Sequence, residues 1–154
     1  RPTRTTLFPY TTLFRSLQQQ IRIDSAGTHA YHVGNPPDER MQRAALRRGY
    51  DLSALRARKV EVQDFTRFDY VLAMDEDNLA ILQRLHTQTG TDSEPAKLGL
   101  MMDFAADQGY ASEVPDPYYG GESGFERVLD MLEAATEGLL QQIVRDLKRA
   151  DEPR

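Results

Sequence analysis

Asp116 is the residue whose neighbours best equip it to act as an acid. It stands in Val114-Pro115-Asp116-Pro117-Tyr118-Tyr119-Gly120-Gly121, held between two prolines. Each proline ring fixes its own φ and pushes the preceding residue out of the helical region, so the carboxylate is aimed in one direction. Tyr118 and Tyr119 follow with flat apolar faces and polar tips, which suit stacking on an aromatic group. Gly120 and Gly121 let the chain turn away without a side-chain penalty. Proline, aspartate and glycine are also ordinary turn residues. Local chemistry therefore leaves two readings open, a loop presenting an acid beside a ring-binding wall and a plain surface turn.

Composition narrows what such a loop can belong to. With 154 residues, 40% hydrophobic and 28% charged, the chain fits one domain around a single core. No apolar run approaches the roughly 18 residues of a membrane span, and no charged-then-apolar leader precedes a cleavage site. A soluble, cytoplasmic protein with no membrane partner is expected. The net charge of −5 argues against a nucleic-acid partner. There are no cysteines, hence no disulfides, and the three histidines, at 29, 32 and 86, have no metal-ligand spacing. No metal and no cofactor is expected.

The elements that must position the loop read as alternating strand and helix from Leu17 onward. Ile21-Arg22-Ile23 predicts a short strand ending at Asp24-Ser25-Ala26-Gly27. Tyr31 and His32 follow on a loop with Gly34, and His29 is a loop histidine without a carboxylate nearby in sequence. Pro36-Pro37-Asp38 predicts the opening of a helix that runs through Met41, Ala44, Ala45 and Arg48 and stops at Gly49. Phe68-Asp69-Tyr70-Val71-Leu72-Ala73-Met74 has the continuous apolar character of a parallel strand covered on both faces. Asp75 stands at its carboxyl end, where it can cap a helix through Leu79, Leu82 and Leu85. After the polar loop 87–94, Ala96 to Leu100 predicts the next strand. The last helix carries Phe125, Val128, Leu129, Leu132, Ala135, Leu139, Leu140, Ile143 and Leu147 on one face, a core-covering pattern. Arg40, Arg43, Arg47, Arg48, Arg56, Arg58 and Lys59 make the most basic region, read as a solvated face or as a surface that steers a phosphorylated partner. The domain is expected over 17–150, with 151–154 a polar tail.

Several stretches in order resemble one family. Ile23-Asp24-Ser25-Ala26-Gly27-Thr28, Gly34-Asn35-Pro36-Pro37-Asp38, Arg56-Ala57-Arg58, Asp64-Phe65, Phe68-Asp69, Met74-Asp75-Glu76-Asp77-Asn78-Leu79 and Asp116-Pro117-Tyr118-Tyr119-Gly120-Gly121 with Gly124-Phe125-Glu126 are similar to the motifs of the low-molecular-weight protein-tyrosine-phosphatases. The resemblance runs from about Ile21 to about Leu147. It implies an α/β fold of three layers, a four-stranded parallel sheet flanked by helices in flavodoxin-like topology. It also implies hydrolysis of phosphotyrosine monoesters on protein substrates through a phosphocysteine, without cofactor or metal. By the same resemblance Asp116 is the general acid, and Tyr31, Tyr118 and Tyr119 bind the substrate, Tyr31 facing Tyr118 across the ring. Ser25, Arg58, Asp75 and Asn78 support the site. Leu55 stands where many relatives carry a histidine that braces the phosphate loop.

One part of the pattern is missing. The family carries a nucleophilic cysteine, five intervening residues and an Arg-Ser or Arg-Thr pair between its first strand and first helix, and this chain has no cysteine at all. Residues 1–16 instead contain a near-repeat, Thr5-Thr6-Leu7-Phe8-Pro9-Tyr10 followed by Thr11-Thr12-Leu13-Phe14-Arg15-Ser16. This segment reads as non-native, resembling translated sequencing-adapter sequence joined to a truncated gene. A cysteine in register with Arg15-Ser16 would fall at Pro9, and that Arg-Ser is read as coincidence. Loss of the first strand should leave its neighbours with exposed edges and lower the stability. Leu7, Phe8, Leu13 and Phe14 could refill part of the gap, or Thr11 to Gln20 could form a substitute helix. A non-catalytic phosphotyrosine-binding relative is the alternative reading. An arsenate reductase relative is disfavoured, because that chemistry needs redox cysteines.

The thiolate, not a generic polar side chain, is the nucleophile in that chemistry. Removing a covalent nucleophile costs on the order of 10⁶ in turnover in a well-studied serine hydrolase. The chain is therefore predicted to leave a small aryl phosphate unhydrolysed, and turnover at an ordinary enzymic rate in a continuous absorbance assay would refute this.

Overall fold

The computed structural model describes residues 17–90 and 96–153, with Tyr119 described by its backbone alone. The expectations for residues 1–16, for Pro95 and its four predecessors, for the Tyr119 side chain and for Arg154 lie outside the described residues. Two strands, β1 (Tyr70–Ala73) and β2 (Lys97–Leu100), pair in parallel with Tyr70 opposite Lys97 and Ala73 opposite Leu100. Between them the chain crosses through α3 (Glu76–His86). Before them lie α1 (Glu39–Arg47) and the single turn α2 (Asp64–Arg67), and after them comes α4 (Gly121–Ala150), the longest element.

Alternation along β1 builds the layers. Successive side chains of a strand point to opposite faces, and Val71 and Ala73 pack with Phe65, Leu82 and Leu100, whereas Leu72 packs with Met101, Met102 and Met131. One face of the sheet is thus covered by α2 and α3, the other by α4 and the 3₁₀ segment Met101–Gln108. Phe65 and Met131 are fully buried. A third cluster, Ala44, Ala45, Tyr50, Leu52, Phe125 and Leu129, joins α1 to the first half of α4.

Among the described residues, the strand expected at Ile21-Arg22-Ile23 is not formed: these residues pair in no ladder, and the pairing next along the chain is an isolated parallel bridge between Gly27 and Lys59. A strand exists only with a neighbour to exchange hydrogen bonds. The resembled fold sets its first strand between this segment and β1, and no described residue takes that place. Only two of the four expected strands are therefore present among the described residues.

The helix boundaries follow local chemistry. α1 begins at Glu39, one residue after Asp38, whose side chain accepts from the Arg40 N–H as an N-cap. The prolines expected in its first turn lie outside it. It stops where predicted, because Gly49 takes a left-handed φ of 85° and Tyr50 N–H reaches back to the Ala45 carbonyl at 2.9 Å. The 3₁₀ segment Met101–Gln108 was not legible in the sequence. No helix among the described residues is long and apolar enough to cross a membrane.

Gly138 explains how α4 lies so close to that segment. A Cβ there would overlap the Phe104 carbonyl oxygen and come within 3.3 Å of the Phe104 Cβ. Glycine within a helix ordinarily costs about 1 kcal/mol relative to alanine. Here the close approach reverses the preference. Gly138→Ala is expected to destabilise by about 1–3 kcal/mol, as overpacking does, read as a lower urea midpoint; an unchanged or higher midpoint would show that the helix can shift freely.

Candidate active site

The acid loop is built on the carboxyl end of β1. Val114 N–H donates to the Met74 carbonyl at 2.8 Å, so the chain enters Pro115-Asp116 directly beside the last residues of the strand. Asp116 is extended, with φ −75° and ψ 115°, as a residue before proline should be. It caps the short turn Pro117–Tyr119 by accepting the Tyr118 N–H on Oδ1 at 3.0 Å. Gly120 N–H closes the turn on the Pro117 carbonyl at 3.0 Å, and Gly121 leaves it at φ 67° into α4. The carboxylate is solvent-exposed, and the Tyr118 side chain beside it is also exposed.

One residue past Met74, Asp75 caps α3. Its Oδ1 accepts the Asn78 N–H at 2.7 Å and the Asn78 side-chain amide at 2.6 Å. The other end of that amide accepts from the Thr28 hydroxyl at 2.9 Å. Asp75 and Asn78 are thus joined directly, and they fasten the 24–34 loop to the start of α3. Thr28 is a member of this group that the sequence did not single out.

Ser25 and Arg58 meet at a second carboxylate. The Ser25 N–H donates to Asp24 Oδ1 at 2.8 Å, while Arg58 Nε donates to Asp24 Oδ2 at 3.3 Å. The same guanidinium clasps Asp64, with Nη1 at 2.8 Å from Oδ2 and Nη2 at 3.2 Å from Oδ1. Arg58 therefore faces protein carboxylates. Burial disfavours the charge on Asp64, yet the Arg58 fork and the Glu61 N–H outweigh it and hold its carboxyl below the ordinary value. Tyr31 projects into solvent, 84% exposed, with its ring stacked on His29 at 5.7 Å between centroids and 15° between planes. His29, read from sequence as an unpartnered loop residue, also lies 3.2 Å from the Thr28 hydroxyl through Nδ1.

Part of the basic region is tied into ion pairs, while Arg43, Arg47, Arg56 and Lys59 stay exposed. Arg48 is held by three acids of α4, with Nη2 at 2.6 Å from Glu126 and 2.9 Å from Asp130, and Nη1 at 3.0 Å from Glu133. Arg47 joins Glu126, and Tyr50 donates to Glu133 at 3.1 Å. These charges pair because α1 and α4 are packed side by side, which no sequence spacing reveals. Among the described residues no group of three or more His, Asp or Glu could hold a metal ion.

The comparisons with known proteins decide the family. The model of the low molecular weight phosphotyrosine protein phosphatase family matches residues 6–149. The chain belongs to the low-molecular-weight phosphotyrosine phosphatases. It is 42% identical over 131 residues to a putative low molecular weight protein-tyrosine-phosphatase of Synechocystis, covering 85% of this chain and 80% of that protein. It is 40% identical over 114 residues to the human low molecular weight phosphotyrosine protein phosphatase, covering 74% of this chain and 69% of that one. Among solved structures, the protein tyrosine phosphatase of Entamoeba histolytica superposes with a TM-score of 0.73 at 37% identity, covering 87% of this chain and 85% of that one. Unlike the chemistry expected of this phosphatase family, the present chain has no thiolate to offer a phosphoryl group.

The Arg58–Asp64 pair has a measurable signature. A depressed folded pKa contributes stability above the unfolded value of about 3.9 and loses it as pH falls through the folded value. Urea titrations are expected to show falling stability below about pH 4, a slope that Asp64→Asn removes in part. Arg58→Met should cost about 2–3 kcal/mol at pH 7, less than a fully buried pair because Arg58 keeps 31% of its side chain exposed.

Proposed function

We propose that this chain carries the site of a protein-tyrosine-phosphatase without its nucleophile. In this reading Asp116 is the general acid that protonates the departing phenolate. Tyr31, Tyr118 and Tyr119 form the wall against the substrate ring. Ser25, Arg58, Asp75 and Asn78 hold the surrounding loops in place. Phosphoryl transfer is mostly positioning and charge stabilisation, and the acid matters because a phenolate is a poor leaving group without a proton. The substrates of the complete site are phosphotyrosine-bearing proteins, met in the cytoplasm. No cofactor takes part.

The observation that carries the reading is the mooring of the Asp116 loop on Met74, at the carboxyl end of the sheet where open α/β folds keep their sites. The missing cysteine sets its limit: the acid and the aromatic walls remain, with nothing to attack phosphorus. Residues 1–16 are read as foreign to the domain, in the place where the family's strand and phosphate loop belong.

A second reading, a binder of phosphotyrosine that does not cleave it, is favoured by the exposure of Tyr31 and Tyr118 in a chain without cysteine. It requires an anion cradle. Micromolar binding of a phosphotyrosine peptide in calorimetry would support it, and no binding at millimolar peptide would remove it.

The test of the main reading is phenyl phosphate hydrolysis by this chain beside a version whose first 16 residues are replaced by a family strand, Cys-x5-Arg-Ser loop and helix. Only the repaired chain is expected to turn over. In that background Asp116→Ala should lower kcat by about 10²–10⁴, the range of general acid catalysis. Equal rates with and without the Asp116 carboxyl would refute its role.

A further inference from the structure

Arg40 differs from the other basic residues of its region, because its partners lie on three separate elements. Nε and Nη2 clasp the Asp38 carboxylate, Nε to Oδ1 at 3.1 Å and Nη2 to Oδ2 at 2.8 Å. Asp38 is itself fixed as the N-cap of α1. The remaining nitrogen, Nη1, donates to the carbonyl of Tyr118 at 3.2 Å, 78 residues further along the chain. The guanidinium carbon stands 5.0 Å from the centre of the Tyr118 ring and 4.9 Å from that of Phe125. Phe125 is buried in the first turns of α4, packed with Ala44, Ala45, Tyr50, Leu52 and Leu129.

A guanidinium suits this place for a physical reason. Its planar fork can hold a carboxylate with one edge while the other nitrogen donates elsewhere, and its faces stack on aromatic rings. A lysine offers one point charge and can make only one of these contacts well. The hydrogen bond to Asp38 is the chief cause raising the Arg40 pKa above that of an ordinary guanidinium, and the proximity of Tyr118 and Asp116 adds to it against desolvation.

We propose that Arg40 is the positioning residue of the acid loop, pinning the Asp116–Tyr119 turn between the start of α1 and the start of α4. The inference rests on the reading of Asp116 as general acid. The Tyr118 N–H occupies Asp116 Oδ1, which in that reading leaves Oδ2 to carry the proton. Displacement of Tyr118 would turn that oxygen away from the leaving group. Arg40 holds the Tyr118 carbonyl, in the peptide leading to Tyr119, while Asp116 holds the N–H of the peptide before it, so the residue is fixed at both ends.

The first test uses the chain as it stands and needs no activity. Hydrogen–deuterium exchange by mass spectrometry is measured for the parent, Arg40→Gln and Arg40→Lys. Peptides covering 116–121 are expected to exchange about 10-fold faster in Arg40→Gln, reflecting local opening, while β1 and β2 keep their parent rates. Arg40→Lys should fall between the two. Unchanged exchange at 116–121, or equal acceleration in the strands, would overturn the tether. In the chain with a restored nucleophile loop, Arg40→Gln should lower kcat on phenyl phosphate by about 10- to 100-fold, the scale of a misplaced catalytic group, with KM little changed. It should add nothing to Asp116→Ala. If Asp116→Ala slows the reaction and Arg40→Gln does not, this inference fails alone. If Asp116→Ala has no effect while exchange at 116–121 responds to Arg40, the acid assignment fails and the tether stands.

Discussion

Where β1 ends, the Met74 carbonyl accepts the Val114 N–H, and this bond fixes the point at which the chain reaches the acid loop. From it the surroundings follow in both directions along the sequence. Asp75, next after Met74, can cap α3 only because the strand has delivered it there, and the Asn78 held by that cap reaches across to Thr28. On the other side, Pro115 and Pro117 allow few conformations after Val114, so Asp116 inherits its place from the strand end. The donor belongs to Val114, a buried residue, and a buried N–H without a partner would be costly, which is why the junction of sheet and loop is so constrained.

Charge organises the rest of the scaffold. Arg48 gathers three carboxylates of α4 and Arg58 gathers two, one of which, Asp64, is nearly excluded from water. Exposed pairs add little stability, but a carboxylate as buried as Asp64 is tolerated only when it is matched. Part of the local run of arginines thus answers acids of the same scaffold, Arg48 those of α4 and Arg58 those at 24 and 64, while Arg43, Arg47, Arg56 and Lys59 stay exposed.

The described residues assemble the loops and helices to which the proposed site is assigned. The loop with Asp116, the cap of α3, the 24–34 loop and the long helix are all assembled, and each depends on contacts among residues after Leu17. Ile21–Ile23, by contrast, pairs in no ladder among the described residues. Its pattern is that of a strand, but a strand is a shared property of two segments.

Sequence by itself determined the family, the identity of the candidate acid, the two strands within Phe68–Met74 and Ala96–Leu100, the Asp75 cap and the core face of α4. These are local or periodic properties, written in proline restriction, capping chemistry and the spacing of apolar residues. Tertiary structure alone decided which charges meet. Arg40 could be read only as one arginine among several, because its partner Tyr118 is 78 residues away and is engaged through a backbone carbonyl, which every residue has. The 3₁₀ segment pressed against Gly138 and the unpaired Ile21–Ile23 were hidden for the same reason. Long-range contact, or its absence, leaves no periodic trace in the residues that make it.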